Sequence, residues 1–443
     1  MTVELPVLPA HWGKSRVDRV ASVNARIGWK ALTAAEYQPR GFTFLSTPNI
    51  KGREIDFDNV NYITEARYQE SPELKLREGD VLLAKDGNTL GIVNLVKHLP
   101  RPATVNGSIA VIRPTGIDGA FLRYVLASRV TQAAINMLKG GMGVPHLFQW
   151  DINRLPVPVP TTGEQRRIAD FLDVETARID QLTQLRSRTL DLLREQVVAQ
   201  VDSAVRGGST RQTRPAEYPP LGQIPVNWLE GRLRSVDCDV QTGPFGSQLH
   251  AEDYIAGGWP VINPANIAPS GLAADERVTI SSEIRERLAR HILQAGDVIF
   301  GRRGELGRAG VVSTEQAGWV CGTGSLRVRF HNDAFHSGYL RRYLTIPAVR
   351  HYFQLHAIGS TMANLNSSIL LNMPLLLPGI GEQVSIAAAC DEIEEQAARR
   401  TTLVKRQLAL LAERRQALIT AAVTGQFDVS TASGRNLTDG VSA

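Results

Sequence analysis

Apolar and polar positions divide the chain into loop-rich segments and two long periodic ones. Short apolar runs that end at glycine, DVLLAKDG (80–87) and DVIFGRRG (297–304), predict buried strands that enter turns. SIAVIRP (108–114) is rich in β-branched residues and also predicts a strand. Residues 119–138 and 337–355 carry apolar side chains at helical spacing. The loop-rich segments therefore predict domains of mixed helix and sheet.

The two periodic stretches, 164–206 and 382–424, contain neither glycine nor proline. Their apolar residues recur close to every three or four positions, which is the pattern of a coiled-coil seam. Glycines at Gly207 and Gly425 provide stops for two long helices. Each helix could lie on the surface of its own domain, but two helices of equal length, half a chain apart, favour packing against each other.

The chain contains two copies of one module, offset by about 216–218 residues. Pro9 and Trp12 of the first copy match Pro225 and Trp228 of the second. Further matches keep the same order: 45–50 with 262–267, 76–93 with 293–312, 106–114 with 322–330, 121–132 with 339–350, and 160–172 with 378–390. The segments between these landmarks differ strongly, so the copies share a scaffold and differ in the remaining surface.

Composition excludes several classes of protein. A chain of 443 residues with 43% hydrophobic content can bury several cores. No apolar run reaches the roughly 18 residues needed to cross a bilayer, and the first residues lack the pattern of a signal peptide. Cys238, Cys321 and Cys390 form no CxxC pair, which argues against a disulfide framework and a structural zinc site. We expect a cytoplasmic protein, and its net charge of +5 permits a polyanionic partner.

The ordered landmarks resemble the specificity subunit of type I restriction–modification systems. They are Pro-x-x-Trp, Asn-Ile, Gly-Asp-Val and a Gly-Glu-Gln that precedes a long helix, each present in both copies. The ending LITAAVTGQFDV (418–429) is also similar to the close of that family's distal helix. The resemblance covers residues 1–429. It implies an α+β fold with two pseudo-repeated mixed α/β target-recognition domains, each followed by a long helix, and the two helices packing as an antiparallel coiled coil.

The resemblance also implies where the domains begin and end. The expected boundaries are 1–162 for target-recognition domain 1, 163–207 for spacer helix 1, 208–220 for a linker, 221–380 for target-recognition domain 2, 381–425 for spacer helix 2, and 426–443 for a flexible tail. In such an architecture, the two domains would bind the two halves of a split DNA target, and the helices would set the unread spacer between them.

The partners implied by the resemblance are double-stranded DNA and two methyltransferase subunits, through which a restriction and translocase subunit would join. No cofactor and no membrane contact are implied. The chain itself would be non-catalytic, and two motifs that resemble catalytic ones are incomplete, as this requires. INPANI (262–267) lacks the second proline and the aromatic of the loop with which adenine methyltransferases hold a flipped base. A nuclease-like set at Asp58, Glu73 and Lys75 is not preserved in the second copy.

DNA contacts are expected from polar and basic side chains on protruding loops, because these side chains match phosphates and base edges. The candidates are Lys85, Asn88, His146, Ser247, Gln248, Arg302, Arg303, Asn364 and Asn366. Each could instead be a solvated loop residue, and His146 could be a structural histidine. Trp12, Trp228 and the two Gly-Asp pairs are expected to have structural roles.

A protein-binding scaffold is the alternative from another class, because the long helices alone would suit that role. The two hypotheses differ in their response to salt. Phosphate contacts make DNA affinity fall steeply as salt rises, so a salt titration of DNA binding separates them.

Overall fold

The structure is a computed structural model that describes residues 4–25, 34–140, 144–208, 212–268, 271–302, 307–357 and 365–429. The chain forms two compact units. Unit 1 takes in Met1–Ser187 and Lys405–Ala443, and unit 2 takes in Arg188–Val404. The last fourteen residues of the predicted flexible tail, 430–443, lie outside the described residues.

Unit 1 contains a loop-rich domain of short strands and helices. Its strands are β1 (Gly13–Arg16), β2 (Ala21–Asn24), β3 (Phe42–Leu45), β4 (Asn61–Ile63), β5 (Val81–Ala84), β6 (Val93–Leu95), β7 (Ala103–Val105), β8 (Ile109–Pro114) and β9 (Pro156–Val159). Its helices are α1 (Val17–Val20), α2 (Glu65–Gln69), α3 (Gly119–Ala127), α4 (Arg129–Leu138) and α5 (Gln149–Asn153), and the long helix α6 (Thr162–Val205) begins here.

The central sheet of unit 1 has the order β2-β8-β5-β6, with every neighbouring pair antiparallel. Successive side chains of a strand point to opposite faces, and β5 is buried on both. Val81 and Leu83 join the core under α3 and the long helices, whereas Leu82 and Ala84 face a second core. The sheet β4-β3-β7 covers that second core.

Unit 2 repeats this plan with extra strands. Its strands are β10 (Thr213–Pro215), β11 (Gln223–Pro225), β12 (Leu229–Arg232), β13 (Cys238–Thr242), β14 (Tyr254–Ile255), β15 (Trp259–Ile262), β16 (Ile267–Ala268), β17 (Gly271–Leu272), β18 (Thr279–Ile280), β19 (Val298–Gly301), β20 (Ala309–Val311), β21 (Val320–Cys321), β22 (Ser325–Phe330) and β23 (Pro374–Leu377). Its helices are α7 (Ser282–Arg287), α8 (Ser337–Tyr343), α9 (Pro347–His356), α10 (Ser367–Leu371) and the start of α11 (Ile380–Val423).

The sheet order β13-β22-β19-β20 in unit 2 matches β2-β8-β5-β6 in unit 1 strand for strand. The duplicated sequence therefore forms a duplicated fold. The helical spacing in 119–138 and 337–355 proves to belong to two helices in each unit. Ser128 adopts an extended backbone and caps α4 through a bond from the Thr131 amide (3.4 Å), and Pro347 begins α9 because its ring suits a first helical position.

The two long helices pack together and run antiparallel, as predicted. In unit 1 the first part of α6 packs against the last part of α11, with Leu172 and Ile179 in the same core as Leu418 and Ile419. In unit 2 the last part of α6 and the first part of α11 share a core that includes Val201, Val205 and Cys390. No helix among the described residues is long and apolar enough to cross a membrane.

The Gly-Glu-Gln motif fastens each long helix to its domain. The buried Gln165 amide donates to the Pro160 carbonyl (2.9 Å), and its oxygen accepts from the Asp118 amide (2.8 Å). In unit 2 the Gln383 amide donates to the Pro378 carbonyl (2.9 Å) and accepts from the His336 amide (2.8 Å). One glutamine thus joins the end of the last strand to the start of α3 or α8.

The glutamate of the motif holds the Pro-x-x-Trp turn. The Trp12 indole donates to the Glu164 carboxylate (3.4 Å), and the Trp228 indole donates to Glu382 (3.3 Å). A hydrogen bond with His11, followed by those from Thr161, lowers the pKa of Glu164 to about 2. Trp228 is buried and Trp12 is half-buried, so both are structural, as expected.

The Gly-Asp pairs fix the entry to a central strand. The buried Asp80 carboxylate takes two bonds of 2.8 Å from Arg113, and Asp297 takes bonds of 2.7 and 2.6 Å from Arg329. Gly79 before Asp80 has φ +89°, which favours glycine. Two parallel hydrogen bonds from one guanidinium also fix the geometry of each carboxylate.

Replacing Gln165 with alanine should lower the free energy of unfolding by about 2–3 kcal/mol, because the Pro160 carbonyl and the Asp118 amide lose their partner. The exposed Gln184 of the same helix provides the control, and its replacement by alanine should change stability by less than about 0.5 kcal/mol. Urea unfolding of both variants measures the difference. Equal stabilities would show that the glutamine does not hold the helix.

Candidate nucleic-acid interface

Three segments of unit 2 meet at one end of its central sheet. Thr242 at the end of β13 pairs with Leu326, and Gly301 at the end of β19 pairs with Ser325, the first residue of β22. The Gly243 amide continues this register with a bond to the Ser325 carbonyl (2.9 Å). The loop after β13 and the turn after β19 therefore leave the sheet at the same end.

The third segment precedes α10 and is bonded to the turn after β19. The Leu365 amide donates to the Arg302 carbonyl (3.0 Å), and the Arg302 guanidinium donates to the Leu365 carbonyl (3.0 Å). The structure thereby brings together Arg302 and Asn366. Asn366 also has a structural task, because its side-chain oxygen caps α10 by accepting from the Ile369 amide (2.9 Å). Arg303 and Asn364 lie outside the described residues.

Ser247 and Gln248 are exposed in the loop that follows β13. The Gln248 side-chain oxygen accepts from the Phe245 amide (3.0 Å), and this bond closes the loop into a turn. The turn presents the Phe245 ring, which is 63% exposed. These two candidates lie at the same sheet end as Arg302, in a different loop.

Unit 1 builds the same junction from different side chains. Ala84 at the end of β5 pairs with Ile109, and the Lys85 amide donates to the Ser108 carbonyl (2.8 Å). The Leu147 amide donates to the Lys85 carbonyl (2.9 Å), as Leu365 does to Arg302. The late loop is held further by the Gly87 amide, which donates to the Pro145 carbonyl (2.8 Å).

The candidates of unit 1 differ in exposure. Lys85 is buried, with its ammonium 3.3 Å from the Asp86 carboxylate, so it lacks the exposure that its prediction assumed. Asn88 is exposed in the turn after β5. His146 forms a hydrogen bond with Asp86 through Nδ1 and is half-buried, and its ring contacts Phe148 edge-on at 4.5 Å.

Sequence reasoning missed the aromatic side chains at this end of unit 1. Phe148 is 47% exposed and Trp150 is 54% exposed. Large exposed aromatics at the start of a helix, as Phe148 and Trp150 are at the start of α5, are suited to apolar contact with a partner. The only sequence signal was an aromatic pair two residues apart after a glycine-rich loop.

The described residues of this region offer hydrogen-bonding and apolar groups. Burial raises the pKa of the Cys390 thiol to about 11 and that of Cys321 to about 12, so both remain protonated at neutral pH and are poor nucleophiles. No group of His, Cys, Asp or Glu side chains in the described part of the chain is arranged to hold a metal ion. The arrangement is suited to binding.

Comparisons with known proteins agree with this geometry. Residues 11–189 match the family described as the type I restriction modification DNA specificity domain. The chain is 20% identical over 432 residues to the type I restriction enzyme EcoKI specificity subunit of Escherichia coli K12, covering 95% of this chain and 90% of that protein.

Two solved structures show the same fold over nearly the whole chain. A chain from a structure of the type I R-M system has a TM-score of 0.73 and 20% identity, covering 95% of this chain and all of that one. The HsdS subunit from Thermoanaerobacter tengcongensis has a TM-score of 0.54 and 20% identity, covering 95% of this chain and 98% of that one.

Residues 11–189 thus carry the DNA specificity domain of type I restriction–modification systems, and nearly the whole chain is similar to specificity subunits of those systems. In this family the specificity subunit recognises DNA and is non-catalytic, and the catalytic activities lie in other subunits. The junction of unit 1 lies within the segment that matches the DNA specificity domain.

Two asparagines at these junctions should respond differently to replacement by alanine. In the described part of the chain the exposed Asn88 side chain has no hydrogen-bond partner, so Asn88→Ala should leave the melting temperature unchanged and weaken DNA binding about tenfold, within the range for a base contact. Asn366→Ala should cost about 1 kcal/mol of stability as well, because it removes a helix cap. Thermal unfolding and fluorescence anisotropy with target DNA measure both effects. Unchanged affinity in Asn88→Ala would remove Asn88 from the interface.

Proposed function

We propose that this specificity subunit binds a bipartite DNA target, with one half-site at the sheet end of each unit and an unread spacer between them. The observation that carries the proposal is the repeated junction. The same backbone bonds join the turn after β5 to Leu147 and the turn after β19 to Leu365, whereas the side chains around them differ. A shared scaffold with different side chains is what two unlike half-sites require, because base edges are distinguished by side-chain chemistry.

The long helices support a fixed spacing between the half-sites. α6 and α11 have 44 residues each, which corresponds to about 66 Å of helix. The boundary between the units falls within both helices, after Ser187 in α6 and after Val404 in α11. Both helices therefore run from one unit into the other, and their length is the natural determinant of the spacer.

The partners proposed are two methyltransferase subunits, one for each repeat, and through them a restriction and translocase subunit. Exposed apolar side chains on the helices support docking. In unit 1 they are Val174, Leu182, Leu185 and Leu410, and in unit 2 they are Leu192, Val198, Ile380, Val384 and Leu403. Leu182 is one of the apolar residues of the periodic stretch 164–206 that predicted the seam, and it is 41% exposed. Exposed apolar positions on an otherwise polar helix are suited to a protein partner.

Methylome sequencing of a host with and without the gene tests the function. A split adenine-methylated motif should disappear with the gene. Exchanging residues 221–378 for the matching region of a relative should then change one half of the motif and keep the other, because that region contains the recognition domain of unit 2. A change in both halves would contradict separate recognition by the two units.

The length of the helices should set the unread spacer. Four residues inserted into both helices, after Ser187 and after Val404, would add about 6 Å and keep the seam nearly in phase. The spacer should lengthen by one or two base pairs, at about 3.4 Å each, with the same bases recognised. Methylome sequencing measures the new spacer.

A two-residue insertion at both positions is the control for that experiment. It turns each helix by about 200° at the unit boundary and should lower the melting temperature, because the buried positions before and after the insertion, such as Ile179 and Val201 of α6, no longer follow one continuous seam. A spacer that stays unchanged after the four-residue insertions would show that the helices support the fold without setting the distance.

A further inference from the structure

Three aromatic rings of unit 1 form a row that we call the aromatic ladder: His146, Phe148 and Trp150. The rings of His146 and Phe148 meet edge-on with centroids 4.5 Å apart, and those of Phe148 and Trp150 lie nearly parallel with centroids 6.1 Å apart. The Arg154 guanidinium lies over the Trp150 ring, 5.3 Å from its centroid. The ladder thus combines apolar rings with a cation.

The ladder is held rigidly although its rings are exposed. Asp151 and Ile152 of α5 are buried beneath it, and the Asp151 carboxylate accepts from the Phe148 amide (3.3 Å). The Gln149 side chain donates to the Val23 carbonyl (2.6 Å), which ties α5 to β2 of the central sheet. A rigid, exposed aromatic surface loses little entropy when a partner binds.

The charge around the ladder favours a polyanion. Lys139 and Arg154 are the cations of residues 139–154, and both are exposed. The single carboxylate in this stretch is Asp151, which is 2% exposed. Outside this stretch, the Asp86 carboxylate is already paired with His146 and Lys85. The exposed charge beside the rings is therefore positive, as DNA contact requires.

The second copy lacks the ladder. Asn366 and Ser368 occupy the positions that match Phe148 and Trp150. The rings are therefore no part of the shared scaffold, although the backbone junction is the same in both units. A feature that differs between otherwise equivalent junctions is expected to contact what differs between the two half-sites.

We infer that Phe148 and Trp150 contact thymine methyl groups in the major groove of the half-site bound by unit 1. This inference rests on the proposed function. The thymine methyl is the apolar group that base pairs present in that groove, and it is what an aromatic ring edge can distinguish. Insertion between bases needs a bare ring face, whereas one face of Trp150 is covered by Arg154.

The test uses the specificity subunit assembled with its methyltransferase subunits, and duplexes that carry the mapped target. The half-site of unit 1 is the half that survives exchange of residues 221–378. Replacing its thymines with uracils removes only the methyl groups. Wild-type affinity should fall about fourfold for each contacted methyl, from roughly 0.8 kcal/mol per buried carbon group. The double variant Phe148→Ala, Trp150→Ala should bind the thymine duplex more weakly by a similar factor and bind both duplexes equally.

The control is Phe245→Ala, which removes a comparably exposed ring from unit 2. It should retain the wild-type preference for thymine in the half-site of unit 1. The single variant Trp150→Ala should give a partial effect and covers the case in which the double variant is unstable. Methyltransferase assembly and melting temperature should stay unchanged in each variant.

Several outcomes would overturn the inference. They are a double variant that prefers thymine as strongly as wild type, a unit 1 half-site without thymine on either strand, and a loss of methyltransferase assembly, which would make the ladder a protein-docking surface. Increased 2-aminopurine fluorescence in this half-site, with no sensitivity to uracil, would indicate ring insertion instead. Failure of the wild-type complex to prefer its target over other DNA would instead reject the proposed function itself.

Discussion

The buried glutamine at the start of each long helix is the contact on which the rest of the arrangement depends. An amide side chain has both a donor and an acceptor. Gln165 and Gln383 use both, and each joins a strand end, a long helix and the first turn of a domain helix. This junction connects each long helix directly to the domain that carries the candidate DNA-binding loops.

A second contact in each unit fixes the orientation of the domain relative to its long helix. Arg123 of α3 lies 3.8 Å from Asp173 of α6, and Arg341 of α8 lies 3.8 Å from Asp391 of α11. Asp173 lies about two helical turns beyond Gln165, roughly 12 Å along the axis. Two attachment points separated along a helix prevent the domain from pivoting about one of them. The sheet end of each unit is therefore held at a set angle to its long helix.

The elements were largely predictable from the sequence because periodicity reports burial directly. The division of 119–138 into two helices was not, since Ser128 interrupts the helix through its own backbone and no glycine or proline marks the place. In the candidate site, Lys85 and α5 depart from the expectation that charged side chains are exposed and apolar side chains are buried. Lys85 is buried beside Asp86, and α5 buries Asp151 while Trp150 remains exposed. Both outcomes depend on tertiary partners that no local pattern encodes.

The capping bond at the start of α5 explains how position 148 becomes available for binding. In unit 2, Asn366 caps α10 by accepting from the Ile369 amide. In unit 1 the corresponding bond runs the other way, because the Asp151 carboxylate accepts from the Phe148 amide (3.3 Å). The Asp151 carboxylate, at the third helical position, thus caps α5, as the Asn366 side chain caps α10. Position 148 is thereby released from a structural role and can carry an aromatic ring, while the junction around it is retained.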